Sequence, residues 1–219
     1  MPDTSAEPQT DPLARLFDEK GHDMRFQPGE VILRQGDLSD HVLLVCSGFA
    51  KVVLTSGDSG IVLALREAPE IIGEQEAIAG GPRFASVLAL TEVSARAVSA
   101  GDLRALVAAD PEAARALART LSDRLTASNQ ARRDQAAFTV TQRTARQLVA
   151  LADRLGAPDE ATGTVRLPVT QQDLAAWVGA SREAVVKVLR QLRGQGTVAT
   201  ERKTIVIHDL AALRATAAL

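Results

Sequence analysis

The sequence predicts an α+β fold: an N-terminal β jelly roll, a long helix, and a C-terminal winged helix-turn-helix. Three observations carry this. Short apolar runs separated by glycine-rich turns fill the region from Arg25 to about Val98. From Glu112 to about Gln135 the chain then contains neither glycine nor proline. Beyond it, two segments with helix-capping residues flank Gly179-Ala180 and precede a basic hairpin.

The apolar runs are Val31-Ile32-Leu33, Val42-Leu43-Leu44-Val45, Val52-Val53-Leu54, Ile61-Val62-Leu63, Val87-Leu88-Ala89-Leu90 and Val93-Ser94-Ala95. Pro28-Gly29, Gln35-Gly36-Asp37, Ser47-Gly48, Gly57-Asp58-Ser59-Gly60 and Gly80-Gly81-Pro82 separate them. Many short strands at regular spacing with such turns suit a sandwich or jelly roll. Upstream, Met1 to Pro12 is polar and proline-containing, which predicts a tail without fixed structure. Leu13, Leu16 and Phe17 fall on one face of a short helix.

Ser99 and Asp102 open a helix that carries Leu103, Leu106 and Val107. Asp110-Pro111 opens the next, with proline in the first turn. A helix of about 25 residues is long for a small domain and suggests pairing with a partner. Its stripe is Leu117, Leu121 and Leu125, at i, i+4 and i+8, and the alternative is packing on the chain's own sheet. Thr139 to Leu155 reads as a further helix, apolar at Ala145, Leu148, Val149, Ala152 and Leu155, before a loop from Gly156 to Gly163. The expected limits are 1–24 for the tail and short helix, 25–110 for the β domain, 111–137 for the long helix and 138–219 for the helix-turn-helix domain.

Composition narrows the function classes. The 219 residues are 46% hydrophobic and 24% charged, as in a soluble globular protein. The net charge is −2, but it is unevenly spread: Thr139–Leu219 holds 11 Lys+Arg against 7 Asp+Glu, the remainder 14 against 20. A basic C-terminal module on an acidic body points to nucleic acid. The single cysteine, Cys46, excludes an intrachain disulfide and lies in an apolar run, which predicts a buried thiol. His22, His41 and His208 are far apart and lack metal-ligand spacing, so no metal is expected. No nucleophile–base pair or dinucleotide fingerprint suggests catalysis. The N-terminus lacks signal-peptide character and no stretch of 18 apolar residues exists, so a cytoplasmic protein away from any membrane is expected.

The C-terminal module carries the sharpest chemistry. Thr170-Gln171-Gln172-Asp173 is a capping box, and Leu174, Ala175 and Val178 give its helix an inward face. Gly179-Ala180 supplies a turn and Ser181 caps the second helix. On that helix Val185, Val188, Leu189 and Leu192 fall at i, i+3, i+4 and i+7 and form a buried stripe. Arg182, Glu183, Val186, Lys187 and Arg190 form the opposite stripe. Arg182 and Glu183 occupy the first turn, the part of a recognition helix that reaches base edges. Arginine can bridge two acceptors of guanine, and glutamate can accept from cytosine. After Gly194-Gln195-Gly196, the segments Thr197–Ala199 and Thr204–Ile207 read as two strands around Glu201-Arg202, a wing placing Arg202 and Lys203 near phosphates.

The segment VTQQDLAAWVGASREAVVKVLRQLRGQGTVATERKTIVI resembles the DNA-binding domain of the catabolite activator protein and FNR (Crp/Fnr) family of bacterial transcription regulators. The resemblance runs from about Phe26 to Ile207, and its most specific motif is Ser181-Arg182-Glu183. It implies base contacts by Arg182, Glu183 and Lys187, and phosphate contacts by Thr170, Gln172, Ser181, Arg202 and Lys203. The family commonly has arginine where Lys187 stands, and a hydroxyl-bearing residue where Ala184 stands. The N-terminal half, including PGEVILRQGD from Pro28 to Asp37, resembles the family's cyclic-nucleotide-binding-like effector domain.

That resemblance implies a ligand cassette from Gly73-Glu74 to Arg83. A helix start offers amides to a phosphate, Arg83 neutralises it and Glu74 accepts from a ribose hydroxyl. Ser128 and Asn129 would reach a purine base from the long helix. Phe84 stands where nucleotide-binding members carry serine or threonine. The implied protein is a homodimer on near-palindromic double-stranded DNA, with RNA polymerase a further partner if it activates. Its effector would be cyclic AMP or a related nucleotide. The alternatives are an effector-independent regulator with a degenerate pocket, and a ligand-binding or scaffolding module that does not bind DNA.

Overall fold

The computed structural model describes residues 11–38, 40–56, 59–156 and 158–218. The expected tail as far as Thr10, the Gly57-Asp58 half of one turn and Ala157 in the loop between helices lie outside the described residues. The chain divides into two units. One runs to Ala50 and resumes over Arg66–Thr126; the other comprises Lys51–Leu65 and the chain from Ala127 onward.

In the first unit, α1 (Pro12–Lys20) begins where the tail was expected to end, because Asp11 accepts from the Leu13 amide and proline suits the first helical position. Leu13, Leu16 and Phe17 are buried as one face. Strand β1 (His22–Phe26) starts upstream of the expected boundary at Arg25. Only Phe26 in it is buried, so it carries no alternating apolar signal; pairing with β8 (Val93–Ser99), from His22 opposite Ala97 to Phe26 opposite Val93, makes it a strand.

Between them lie β2 (Val31–Leu33), β3 (His41–Ser47), β4 (Phe49–Ser56), β5 (Ser59–Glu67), β6 (Ile71–Ile72), a short helix α2 (Glu74–Ala79) and β7 (Ser86–Ala89). The strands form two four-stranded sheets, ordered β1-β8-β3-β6 and β2-β7-β4-β5. Six of the eight strands fall on the expected apolar runs, and two are additions: β1, which pairing defines, and β6, whose two residues are too few for a periodic pattern. Cys46 is exposed rather than buried. Along β3, Val45 points inward and Cys46 outward, next to a register shift between Val45 and Ser47.

Helix α3 (Ala100–Ala109) is capped by Ser99, whose hydroxyl accepts from the Asp102 amide at 2.9 Å. Helix α4 (Pro111–Ala137) has the expected length, but its leucine stripe divides. Leu117 is buried in one cluster with Leu13, Phe17, Val42, Leu103 and Ala113, and Leu121 packs at its edge. Leu117 is therefore covered by the chain itself and is not available to a partner helix. Leu125 is 63% exposed.

Besides the Lys51–Leu65 stretch of β4 and β5 and the end of α4, the second unit holds α5 (Val140–Leu155), β9 (Val165–Leu167), α6 (Gln171–Val178), α7 (Arg182–Gly194), β10 (Val198–Glu201), β11 (Thr204–Ile207) and α8 (Leu210–Ala218). Thr139 and Gln142 form a capping box at the start of α5. Leu148, Leu151, Leu174, Val185, Leu189 and Leu192 are buried. Two elements go beyond the expectation. Strand β9 pairs with β11, giving a sheet ordered β10-β11-β9. Helix α8, whose alanine-rich sequence lacks a clear periodic stripe, buries Leu213 and Ala217 and packs along α5. The wing hairpin turns at Arg202-Lys203, one position later than expected, with Lys203 at φ 59°.

Glycine matters most at Gly179, which ends α6 in the left-handed region at φ 66°. A Cβ there would sit 2.3 Å from Gln135 Nε2, the flexible end of a side chain that can move, so backbone strain dominates. Gly179→Ala should cost about 1–2 kcal/mol in denaturant unfolding. Gly194, at the end of α7, has open space around its Cα. Gly194→Ala should be stabilising by up to about 1 kcal/mol. Equal effects at the two positions would contradict this account.

Candidate nucleic-acid interface

The cap of α6 is fully formed. The Thr170 hydroxyl accepts from the Asp173 amide at 3.0 Å, while Asp173 Oδ2 accepts from the Thr170 amide at 3.3 Å and hydroxyl at 2.9 Å. The Thr170 hydroxyl is thus committed to the cap. Gln172, next in the same turn, is exposed. At the start of α7, Ser181 Oγ accepts from the Ala184 amide at 3.2 Å. With Val185, Val188, Leu189 and Leu192 buried below, Arg182, Glu183 and Lys187 face solvent. Arg202 and Lys203 are exposed at the wing turn. The second unit therefore brings together every residue expected to meet DNA.

Electrostatics sharpens this surface. The Glu183 carboxyl is held below its ordinary range, chiefly by its own backbone amide, then by the Ser181 hydroxyl and the Arg182 charge. It stays an acceptor at neutral pH. Glu201 is matched by Arg166, whose two terminal nitrogens lie 3.2 and 2.5 Å from its oxygens. Among the described residues no ion pair engages Lys187, Arg190, Arg202 or Lys203, so these cations remain for phosphates or bases.

Two supporting residues were not among those expected from the sequence. Arg143 of α5 donates to Val178 O at 3.1 Å, Gln135 O at 3.1 Å and Phe138 O at 2.8 Å, joining the ends of α4 and α6. Lys51 of β4 lies 2.5 Å from Asp173 Oδ1. Val178 is 35 residues from Arg143 and Asp173 is 122 from Lys51; the lone charge in the apolar run Phe49–Leu54 was the available hint. A groove of about 420 Å³ beside α5 includes Asp134, Arg146, Asp153 and Trp177. Its charged walls are already paired, Arg146 with Asp134 and Asp153 with Arg214.

The implied ligand cassette lies in the first unit. Arg83 is 3% exposed and donates to Gly73 O at 2.6 Å and to His41 O. A Cβ on Gly73 would meet Arg83 Nη1 at 2.5 Å, so glycine is needed for this approach. Burial lowers the Arg83 pKa against the pull of Glu76, Asp40, Glu74 and Asp37, and an arginine so placed stays charged. Glu74 is buried; Oε1 pairs with Arg124 of α4, and Oε2 has no hydrogen-bond partner among the described residues. Arg124, which also donates to Ile71 O, was not foreseen. Phe84 is 57% exposed. Ser128 and Asn129 are exposed on the part of α4 that belongs to the other unit.

Comparison with known proteins agrees with both halves. The model of the Crp-like helix-turn-helix domain matches residues 142–216, and that of the cyclic nucleotide-binding domain matches residues 23–110. A CRP-like cAMP-activated global transcriptional regulator of Mycobacterium tuberculosis is 31% identical over 185 residues, covering 84% of this chain and 83% of its own. The chain belongs to the CRP/FNR family of transcription regulators. A CRP/FNR-family regulator from Thermus thermophilus superposes with a TM-score of 0.77 at 28% identity, over 90% of this chain and 99% of its own. The c-di-GMP responsive global regulator CLP of Xanthomonas campestris does so with a TM-score of 0.76 at 27% identity, over 90% and 98%. As a CRP/FNR-type protein it is a DNA-binding transcription regulator rather than an enzyme, with a β-roll domain, a long helix and a helix-turn-helix.

The cap of α6 yields a pH dependence. Burial pushes the Asp173 carboxyl up, but Lys51 and Thr170 outweigh it and hold the group below the ordinary aspartate range. A depressed folded value stabilises fully above the unfolded value, about 4, and is lost as pH falls through the lower folded value. Asp173→Asn should therefore flatten the acid limb of the stability curve below about pH 4. Identical acid limbs in the two proteins would contradict this.

Proposed function

We propose that this regulator acts as a homodimer on a near-palindromic site, with α7 of each copy entering successive major grooves roughly 34 Å apart. Arg182, Glu183 and Lys187 read base edges. Gln172, Ser181, Arg202, Lys203 and the backbone amides of the first turn of α6 hold phosphates. The observation that carries this is the exposed, unpaired cationic face of α7 and the wing, set on a fully capped and buried helix pair. Leu125, exposed on α4, supports a partner helix on that side. RNA polymerase is the further partner wherever binding activates. Acting on DNA places the regulator in the cytoplasm, and no helix among the described residues is long and apolar enough to cross a membrane.

Arg182→Ala should cost about 1–3 kcal/mol on a duplex selected by the wild type and relax preference at one base pair. Lys203→Ala should weaken selected and random duplexes alike. Fluorescence anisotropy on both duplexes checks this, and equal losses for Arg182→Ala on both would overturn the assigned readout.

For the β-roll, we infer a small effector carrying a hydroxyl and an anionic group, with cyclic AMP the first ligand to try. The mycobacterial relative is described as cAMP-activated and CLP as c-di-GMP responsive. Glu74 Oε2, buried in the cassette without a partner among the described residues, suits a ligand hydroxyl, and the buried Arg83 cation suits an anion once it releases its carbonyls, against the repulsion of the carboxylates near it. A second reading, effector-independent control, is favoured by Phe84, which offers no hydroxyl, and by Arg83 already being engaged. Calorimetry decides: binding of cyclic AMP that tightens in Phe84→Ser supports the first, and heat from neither protein supports the second.

A further inference from the structure

Strand β4 enters the second unit at Lys51, its only charged residue. The Lys51 ammonium lies 2.5 Å from Asp173 Oδ1, and the two side chains are only 15% and 18% exposed. The other carboxylate oxygen is already engaged by the Thr170 amide and hydroxyl. Lys51 thus completes the cap of the first helix of the helix-turn-helix from a distant part of the chain.

The first helix of such a pair crosses the DNA backbone. Its N-terminal amides attract phosphate, and a carboxylate beside them repels it. Asp173 is nonetheless needed, because a capping box satisfies two backbone donors reciprocally. A bare carboxylate would favour the helix and oppose the DNA. Lys51 resolves the conflict: it cancels the charge on the oxygen that the cap does not use. The geometry leaves the amides of Gln171 and Gln172, which have no intrahelical acceptor, to meet a phosphate.

We propose that Lys51 is a positioning residue for DNA binding outside the helix-turn-helix, one that neutralises Asp173 and holds the first turn of α6 for phosphate contact. The inference rests on the reading that α6 crosses the backbone. It acts on affinity for any sequence, since phosphates carry no base information.

The test uses the full chain, a duplex selected by the wild type from a random pool, and a random duplex, titrated at several salt concentrations. Lys51→Met should lose about tenfold in affinity on both duplexes at low salt, with the deficit narrowing as salt rises. Lys51→Arg should retain wild-type affinity. Asp173→Asn should bind at least as tightly as wild type, and adding Lys51→Met to it should change nothing further. The double variant also guards against misfolding, because its wild-type affinity would show an intact module.

Unchanged or tighter binding by Lys51→Met would overturn the proposal; tighter binding would make the pair a restraint on DNA binding. A tenfold loss that persists in the Asp173→Asn background would also overturn it, by assigning Lys51 a phosphate of its own. A wild type that binds neither duplex would defeat the DNA-binding reading itself.

Discussion

Arg143 on α5 reaches the ends of two other helices, and the presentation of the recognition helix depends on it. The last carbonyls of a helix have no intrahelical donors. One guanidinium answers three of them: Gln135 and Phe138 where α4 gives way to α5, and Val178 where α6 stops. A cation there also faces the negative end of each helix dipole. With Val178 O held, Gly179 turns left-handed and α7 leaves with its apolar stripe inward. The exposed position of Arg182, Glu183 and Lys187 follows from that junction as much as from their own positions on the helix.

Legibility in the sequence tracked how local the determining interaction is. The helix-turn-helix was readable because caps, turn and stripe lie within one stretch from Thr170 to Leu192. The β domain was readable where a continuous apolar run between turn residues marks a buried strand, as at Val42 to Val45, and unreadable where pairing decides, as in β1 and β6. Cys46 shows the limit of composition: an apolar run suggested burial, but alternation along β3 turns it outward. Leu117 shows another. Its spacing on α4 fits a partner helix and the chain's own core equally, and the core formed with Leu13 and Leu103 takes it. Helix α8 and β9 carry too few ordered apolar positions to announce themselves; contact with α5 and β11 creates them.

The β-roll cassette stands between two demands. Glu74 is buried with one oxygen on Arg124 and the other without a hydrogen-bond partner among the described residues. An unsatisfied buried carboxylate oxygen costs free energy, of order 1–3 kcal/mol, unless something donates to it. Arg83 is at the opposite extreme, with its guanidinium donating to two carbonyls and surrounded by carboxylates. An anionic ligand must win Arg83 away from those carbonyls, while its hydroxyl gains an acceptor already waiting. Phe84, where the resemblance implies a hydroxyl beside a phosphate, offers none, which would weaken the anionic half of that exchange more than the hydroxyl half.

An overall charge of −2 opposes DNA binding only if charge is spread evenly, and the arrangement of ion pairs shows that it is not. Net charge sums over the molecule, whereas phosphates sense local charge within about 8–10 Å at physiological salt. On the exposed side formed by α6, α7 and the wing, the acids have local counterparts. Asp173 faces Lys51, Glu201 faces Arg166, and Glu183 lies beside Arg182 while accepting from backbone and Ser181. Lys187, Arg190, Arg202 and Lys203 have no such partner among the described residues. The acidic excess lies before Thr139, where Asp18, Asp23, Asp102 and Glu112 pair with Arg96, Lys20 and Arg115. The exposed face of α7 and the wing is therefore positive because its acids are individually neutralised, and the cations left over are those that these elements hold outward.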